Sequence, residues 1–103
     1  MSPPGKSPSR KPPAAPPPGE LEARVKRELK RLGKRLREAR LARGLSQEQA
    51  AELIGVHAKY MPRLESGGAN PTVATLVAAS AAYGLTLCDL FSADEEGSSA
   101  RDG

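Results

Sequence analysis

The sequence predicts an all-α fold of five short helices, with a helical extension before them and a disordered tail at each end. Three observations carry this reading. Between Glu20 and Phe91 the apolar residues recur at three- and four-residue intervals. Ser46, Thr72 and Thr86 stand just ahead of such runs, where a hydroxyl satisfies orphan backbone donors. Gly55, Gly67, Gly68 and Gly84 stand just behind them, where a helix stops.

Residues 1–19 hold eight of the ten prolines, with Ser, Gly and Ala, and no large apolar residue after Met1. Such a segment buries too little surface to offset its ordering entropy, so it reads as a disordered Pro-rich basic tail. Both a solvated linker and a basic arm on DNA phosphates fit it.

From Glu20 the composition switches to helix formers. Leu21, Val25, Leu29, Leu32, Leu36 and Ala39 step by four, four, three, four and three, which makes one apolar stripe. Gly33 interrupts it at about 1 kcal/mol relative to Ala, a candidate bend. Residues 20–30 form a basic helical extension with three readings: pairing with a second copy, lying along DNA, or fraying in solvent.

The stretch LSQEQAAELIGVHAKYMPRLESG, residues 45–67, reads as two helices joined by a tight turn. Ser46 and Gln49 make a capping box for the first helix, and Ala50, Ala51 and Ile54 form its apolar face. Gly55 takes the turn. The second helix is expected from about Ala58 to about Ser66, with Met61 and Leu64 inward and Lys59 and Arg63 sharing an outward face. Pro62 lies inside that span, where it removes a donor and clashes unless it falls in the first turn. A kink, a start after Tyr60 and a helix that reorders on binding are the three outcomes open to it.

Thr72 caps a fourth helix, Val73 to Tyr83, with Val73, Leu76, Ala79, Ser80 and Tyr83 inward. Thr86 and Asp89 box a fifth, Leu87 to Phe91, in which Cys88 reads as a small, partly buried hydrophobe. Residues 92–103 read as a disordered acidic tail. The domain organisation expected is therefore a tail over 1–19, an extension over 20–30, a folded domain over 31–91 and a tail over 92–103.

The net charge of +4 is unevenly placed. Residues 20–43 carry ten Lys or Arg against four Glu, whereas residues 44–103 carry three basic against eight acidic residues. The positive end suits a polyanion. The chain has one histidine, one cysteine and no phosphate-cradling glycine motif, so neither catalysis nor a cofactor or metal site is expected. The sequence has no long apolar run and no apolar leader, so a cytoplasmic, nucleoid-associated location is expected.

Leu-Ser-Gln-Glu from residue 45, Gly-Val at 55, Leu-Glu-x-Gly at 64, Asn-Pro-Thr at 70 and Gly-Leu-Thr-Leu at 84 follow in order. In this the sequence resembles the Cro/C1-type, or XRE, helix-turn-helix family, with its lambda-repressor-like fold, over roughly residues 30–91. The resemblance implies DNA binding, with the second helix of the motif in the major groove. It places His57, Ala58, Lys59 and Arg63 at reading positions and turns Gln47 toward the groove or a phosphate. It implies a further pair, Arg40 with Glu65, holding the first helix against the reading unit. Ser46 and Ser66 are candidates for phosphate contacts from helix ends. The function expected is a sequence-specific regulator of transcription on double-stranded DNA, most simply a repressor and a homodimer. The alternative is an antitoxin-like or adaptor module in which the same scaffold, through the 20–30 extension, serves a protein partner.

Overall fold

The computed structural model describes residues 13–92; of the tails expected over 1–19 and 92–103, residues 1–12 and 93–103 lie outside the described residues, while Pro18 and Gly19 belong to the first helix rather than to a tail. The described chain is all-helical, with α1 at Pro18–Ala42, α2 at Gln47–Ile54, α3 at Tyr60–Ser66, α4 at Val73–Tyr83 and α5 at Leu87–Phe91.

Helix α1 starts with proline in its first turn, where the missing N–H is an orphan in any residue, and so begins two residues ahead of the composition switch at Glu20. It then runs unbroken through Gly33. No break occurs at that candidate bend, and the glycine has a packing role: a Cβ there would fall 2.5 Å from the Glu65 carbonyl oxygen and 2.6 Å from that of Leu64. Only a residue without a side chain lets the end of α3 approach α1 this closely.

Helices α2 and α5 open on reciprocal capping boxes. Ser46 Oγ accepts from Gln49 N at 3.0 Å while Gln49 Oε1 accepts from Ser46 N at 2.8 Å, and Thr86 with Asp89 repeats the pattern. The two bonds from Thr86 hold the Asp89 carboxyl below its ordinary range. Helices α2, α3 and α4 each end on a left-handed glycine: Gly55, Gly67 and Gly84.

Packed between the helices is a core of Leu32, Leu36, Ala50, Ala51, Ile54, Met61, Leu64, Leu76, Ala79, Tyr83 and Leu90. Its largest fully enclosed side chains are Leu36, Met61 and Leu64, which tie α1 to α3 at the centre. Two expectations fail at its edge. Val73 is 68% exposed, because the first turn of α4 overhangs the core that Leu76 enters one turn later. Cys88 is exposed, since α5 buries only Leu90.

Candidate nucleic-acid interface

Helix α3 is short, and its sequence explains where it starts. Chain 57–60 makes a turn in which Tyr60 N donates to His57 O at 2.9 Å and Met61 N to Ala58 O at 3.2 Å. The helix therefore begins at Tyr60, later than the expected Ala58, and Pro62 falls in its first turn. There the absent N–H has no helical acceptor to lose, so α3 continues without a break to Ser66. The helix lacks a side-chain cap at Lys59, but His57 Nδ1 accepts from Lys59 N at 3.2 Å and closes the turn in front of it.

What fixes α3 against the rest of the molecule is a buried polar network. Arg40 Nε donates to Glu65 Oε2 at 2.7 Å and Arg40 Nη2 to Glu65 Oε1 at 3.0 Å, a bidentate pair in which both side chains are almost wholly enclosed. The third arm, Arg40 Nη1, donates to the Leu45 carbonyl at 2.8 Å, and Gln47 Nε2 adds a bond to Glu65 Oε1 at 3.1 Å. One arginine thus joins α1, the α1–α2 turn and α3, while Gln47 ties in the start of α2. The Glu65 hydrogen bond is the first cause of the raised Arg40 pKa, followed by opposing desolvation and then the Glu65 charge. Tyr83 lies under this network: its hydroxyl is buried without a hydrogen-bond partner, and burial, assisted by the Glu65 charge, pushes its pKa up to about 12. Tyr83 is legible in the sequence as an inward residue, but its nearness to the Arg40–Glu65 charges is not.

The residues singled out for reading DNA divide into those turned outward and those engaged internally. Lys59 and Arg63 are both exposed, one at the mouth of α3 and one on its second turn. Arg63 Nη2 reaches back to the Gly68 carbonyl only at 3.5 Å, the outer limit of a hydrogen bond, which leaves the guanidinium available. His57 is exposed beside Lys59. Ser46 and Ser66 are exposed with hydroxyls engaged locally, Ser46 as the α2 cap and Ser66 donating to the Arg63 carbonyl at 3.2 Å. Ala58 is half-buried against the core. Gln47 is half-buried with one amide N–H given to Glu65, so its free hydrogen-bonding capacity is its second N–H and its carbonyl oxygen. Arg35, among the basic residues of α1, is engaged elsewhere: its Nε donates to the Asp89 carbonyl at 3.0 Å and braces α5. Lys30 is exposed and passes against Gly67, at the end of α3.

The outward side of α3 and its approaches thus offer a cationic, hydrogen-bond-donating edge on a helix anchored from behind. Such an edge suits phosphate oxygens and base edges. Among the described residues no group of His, Cys, Asp and Glu is placed to hold a metal ion, and no helix is long and apolar enough to cross a membrane.

Known proteins share this architecture. The HTH-type transcriptional regulator PuuR of Escherichia coli (strain K12) is 41% identical over 64 residues, covering 62% of this chain and 35% of its own length. The chain therefore spans about a third of that relative. The crystal structure of the restriction-modification controller protein C.AhdI from Aeromonas hydrophila superposes with a TM-score of 0.61 at 35% identity, covering 63% of this chain and 98% of that one. A chain of the SinR protein/SinI protein complex superposes at 0.58 with 26% identity, covering 69% of this chain and 76% of that one. Residues 31–93 match the helix-turn-helix domain family, and with more than half of its length in that match the chain belongs to this family, of the Cro/C1 type.

Proposed function

We propose that this chain is a sequence-specific double-stranded DNA-binding regulator of transcription, acting in the cytoplasm on nucleoid DNA as a homodimeric repressor. The observation that carries the proposal is the anchoring of α3. Arg40 and Gln47 hold its inner side with three hydrogen bonds to Glu65, while Lys59 and Arg63 stand exposed. A reading helix needs this division, because base discrimination depends on donors held in fixed geometry.

The roles follow from chemistry. Arg63 offers the planar pair of donors that fits a guanine edge, and Lys59 a compact charge for a base or a phosphate. His57, Gln47, Ser46 and Ser66 supply shorter contacts to the backbone on either side, and Ala58 a small apolar surface at the start of the helix. Lys30, beside the end of α3, adds a sequence-independent phosphate contact. A two-fold dimer presents two such helices to half-sites about 34 Å apart, and occupancy of a promoter suffices for repression. PuuR and the C.AhdI controller carry regulatory names, which supports this reading.

Selection of bound sequences from a random duplex pool tests the proposal. A two-fold symmetric consensus is expected, and Arg63→Ala should relax one position of each half-site by about 1–3 kcal/mol. Recovery of no consensus, with equal affinity for every duplex, would reject it.

A protein-interaction role is the second reading. One observation favours it: Leu21 and Val25 are exposed on the part of α1 that precedes the family match. The SinR protein/SinI protein complex gives a related chain seated with a protein partner. Negligible affinity for random duplex at low salt, together with a stoichiometric partner recovered from cell extract, would select it.

A further inference from the structure

Helix α1 is covered over only part of its length. Leu32 and Leu36 are buried, whereas Leu21 and Val25, on the same stripe about three and two turns before Leu32, are 49% and 43% exposed, and Leu29, between Val25 and Leu32, is half-buried. The overhang from Pro18 to Leu29 is about 18 Å of helix at 1.5 Å per residue, and among the described residues its Leu21 and Val25 side chains are left exposed. A frayed or purely solvated helix has no use for a stripe kept in phase with the core.

We propose that the overhang pairs antiparallel with the same segment of a second copy, with Val25 facing Val25 across the two-fold axis. Three features of the helix select this occupant. First, at about 100° per residue the stripe is flanked on one side by Glu22 and Lys26 and on the other by Arg24 and Glu28. Each flank carries one acid and one base, and centring the pair on Val25 sets Glu22 beside the second copy's Lys26, and Arg24 beside its Glu28. That is a self-complementary seam. A polyanion would be repelled by the two glutamates that lie nearest the stripe, and the purely basic positions of this helix, such as Arg27, Lys30 and Lys34, point away from it.

Second, only the antiparallel direction fits. Just beyond Leu29 the stripe passes under the folded body, where Leu32 and Leu36 are buried. In a parallel pair both folded bodies would crowd the same end of the seam; in an antiparallel pair they sit at opposite ends. Third, the overhang precedes the family match, which begins at residue 31, so the domain's shared pattern does not account for its stripe. The ion pair between Glu28 and Arg31 does not compete strongly, because both side chains are exposed and such pairs hold little free energy.

The seam is short, so association is concentration-dependent, and it stands whether or not the chain reads DNA. It would locate the dimer contact of the regulator proposed above, and its test contains no DNA, so the two readings fail separately. Sedimentation equilibrium of the full chain should show a monomer–dimer equilibrium, and Leu21→Glu with Val25→Glu should weaken dimerisation by roughly tenfold or more. Circular dichroism and the thermal midpoint of the dilute monomer should be unchanged, which separates lost pairing from lost folding.

Charge reversal sharpens the test. The variant Glu22→Lys with Glu28→Lys, and the variant Arg24→Glu with Lys26→Glu, should each be monomeric alone and should form a heterodimer when mixed. Direction is read by spin labels on Gly19→Cys in a Cys88→Ser background, at a position where a Cβ meets nothing within 4 Å. An antiparallel pair places the labelled backbones about 18 Å apart along the helix axis and a parallel pair about 10 Å apart across it. A chain that stays monomeric at every concentration, a dimer untouched by the Leu21 and Val25 changes, a mixture that does not associate, or the shorter label distance would each overturn the proposal.

Discussion

The two halves of α1 carry the same stripe of leucine and valine to different ends. From Leu32 onward the stripe is sealed under α3, α4 and α5, and a single glycine is tolerated because α3 needs its space. Ahead of Leu29 the same periodicity meets solvent. Apolar phase therefore records where a surface will be covered but not by what, and the covered half differs from the bare half only in having its partner in the same chain.

The comparison breaks most sharply at Arg40. Arg40→Ala leaves Glu65 buried and unpaired and should destabilise the fold by about 3–5 kcal/mol in urea unfolding, whereas an exposed base of the bare half such as Arg27→Ala should change stability by less than about 0.5 kcal/mol. If both changes cost the same, the anchoring of α3 is misassigned. Leu36→Ala, fully enclosed, should cost about 2–5 kcal/mol, against a few tenths for Leu21→Ala in the dilute monomer.

Smaller effects follow at the crossing point itself. Gly33→Ala forces α3 away from α1 and should cost about 1–3 kcal/mol, although alanine is the better helix former; Gly19→Ala, in open space, should be neutral or slightly stabilising. A gain at Gly33 would mean that the close approach is absent. Alkaline stability is the mildest probe. The Tyr83 hydroxyl ionises near pH 10 in the unfolded chain and at about 12 in the folded one, so the unfolded state loses the proton first and stability should fall as pH rises through 10 toward 12. Tyr83→Phe should remove that pH-dependent fall while leaving the neutral-pH fold intact.

Much of this was legible from the sequence for local reasons. Hydroxyls at 46, 72 and 86 and glycines at 55, 67 and 84 act within one turn of themselves, and each marks a helix end in the structure. What sequence spacing hid was long-range. Gly33 looks like a weak point until Leu64 and Glu65 are brought beside it, and Val73 fits the helical spacing but lies past the edge of the core. Pro62 illustrates both limits: its chemistry demands the first turn, yet only the turn at 57–60 decides that the first turn begins at Tyr60. At the candidate interface the exposure of Lys59 and Arg63 is readable from spacing alone. The engagement of Gln47 with Glu65 is not, because it depends on how α2 and α3 cross.

The central claim is that an α3 helix fixed from behind reads base edges through Lys59 and Arg63. A fluorescence titration of the chain and of Arg63→Ala against a selected duplex and a scrambled duplex, across a range of salt, tests it most directly. The account predicts that Arg63→Ala loses about 1–3 kcal/mol on the selected duplex and much less on the scrambled one. Equal losses on both duplexes, or no loss on either, would contradict it.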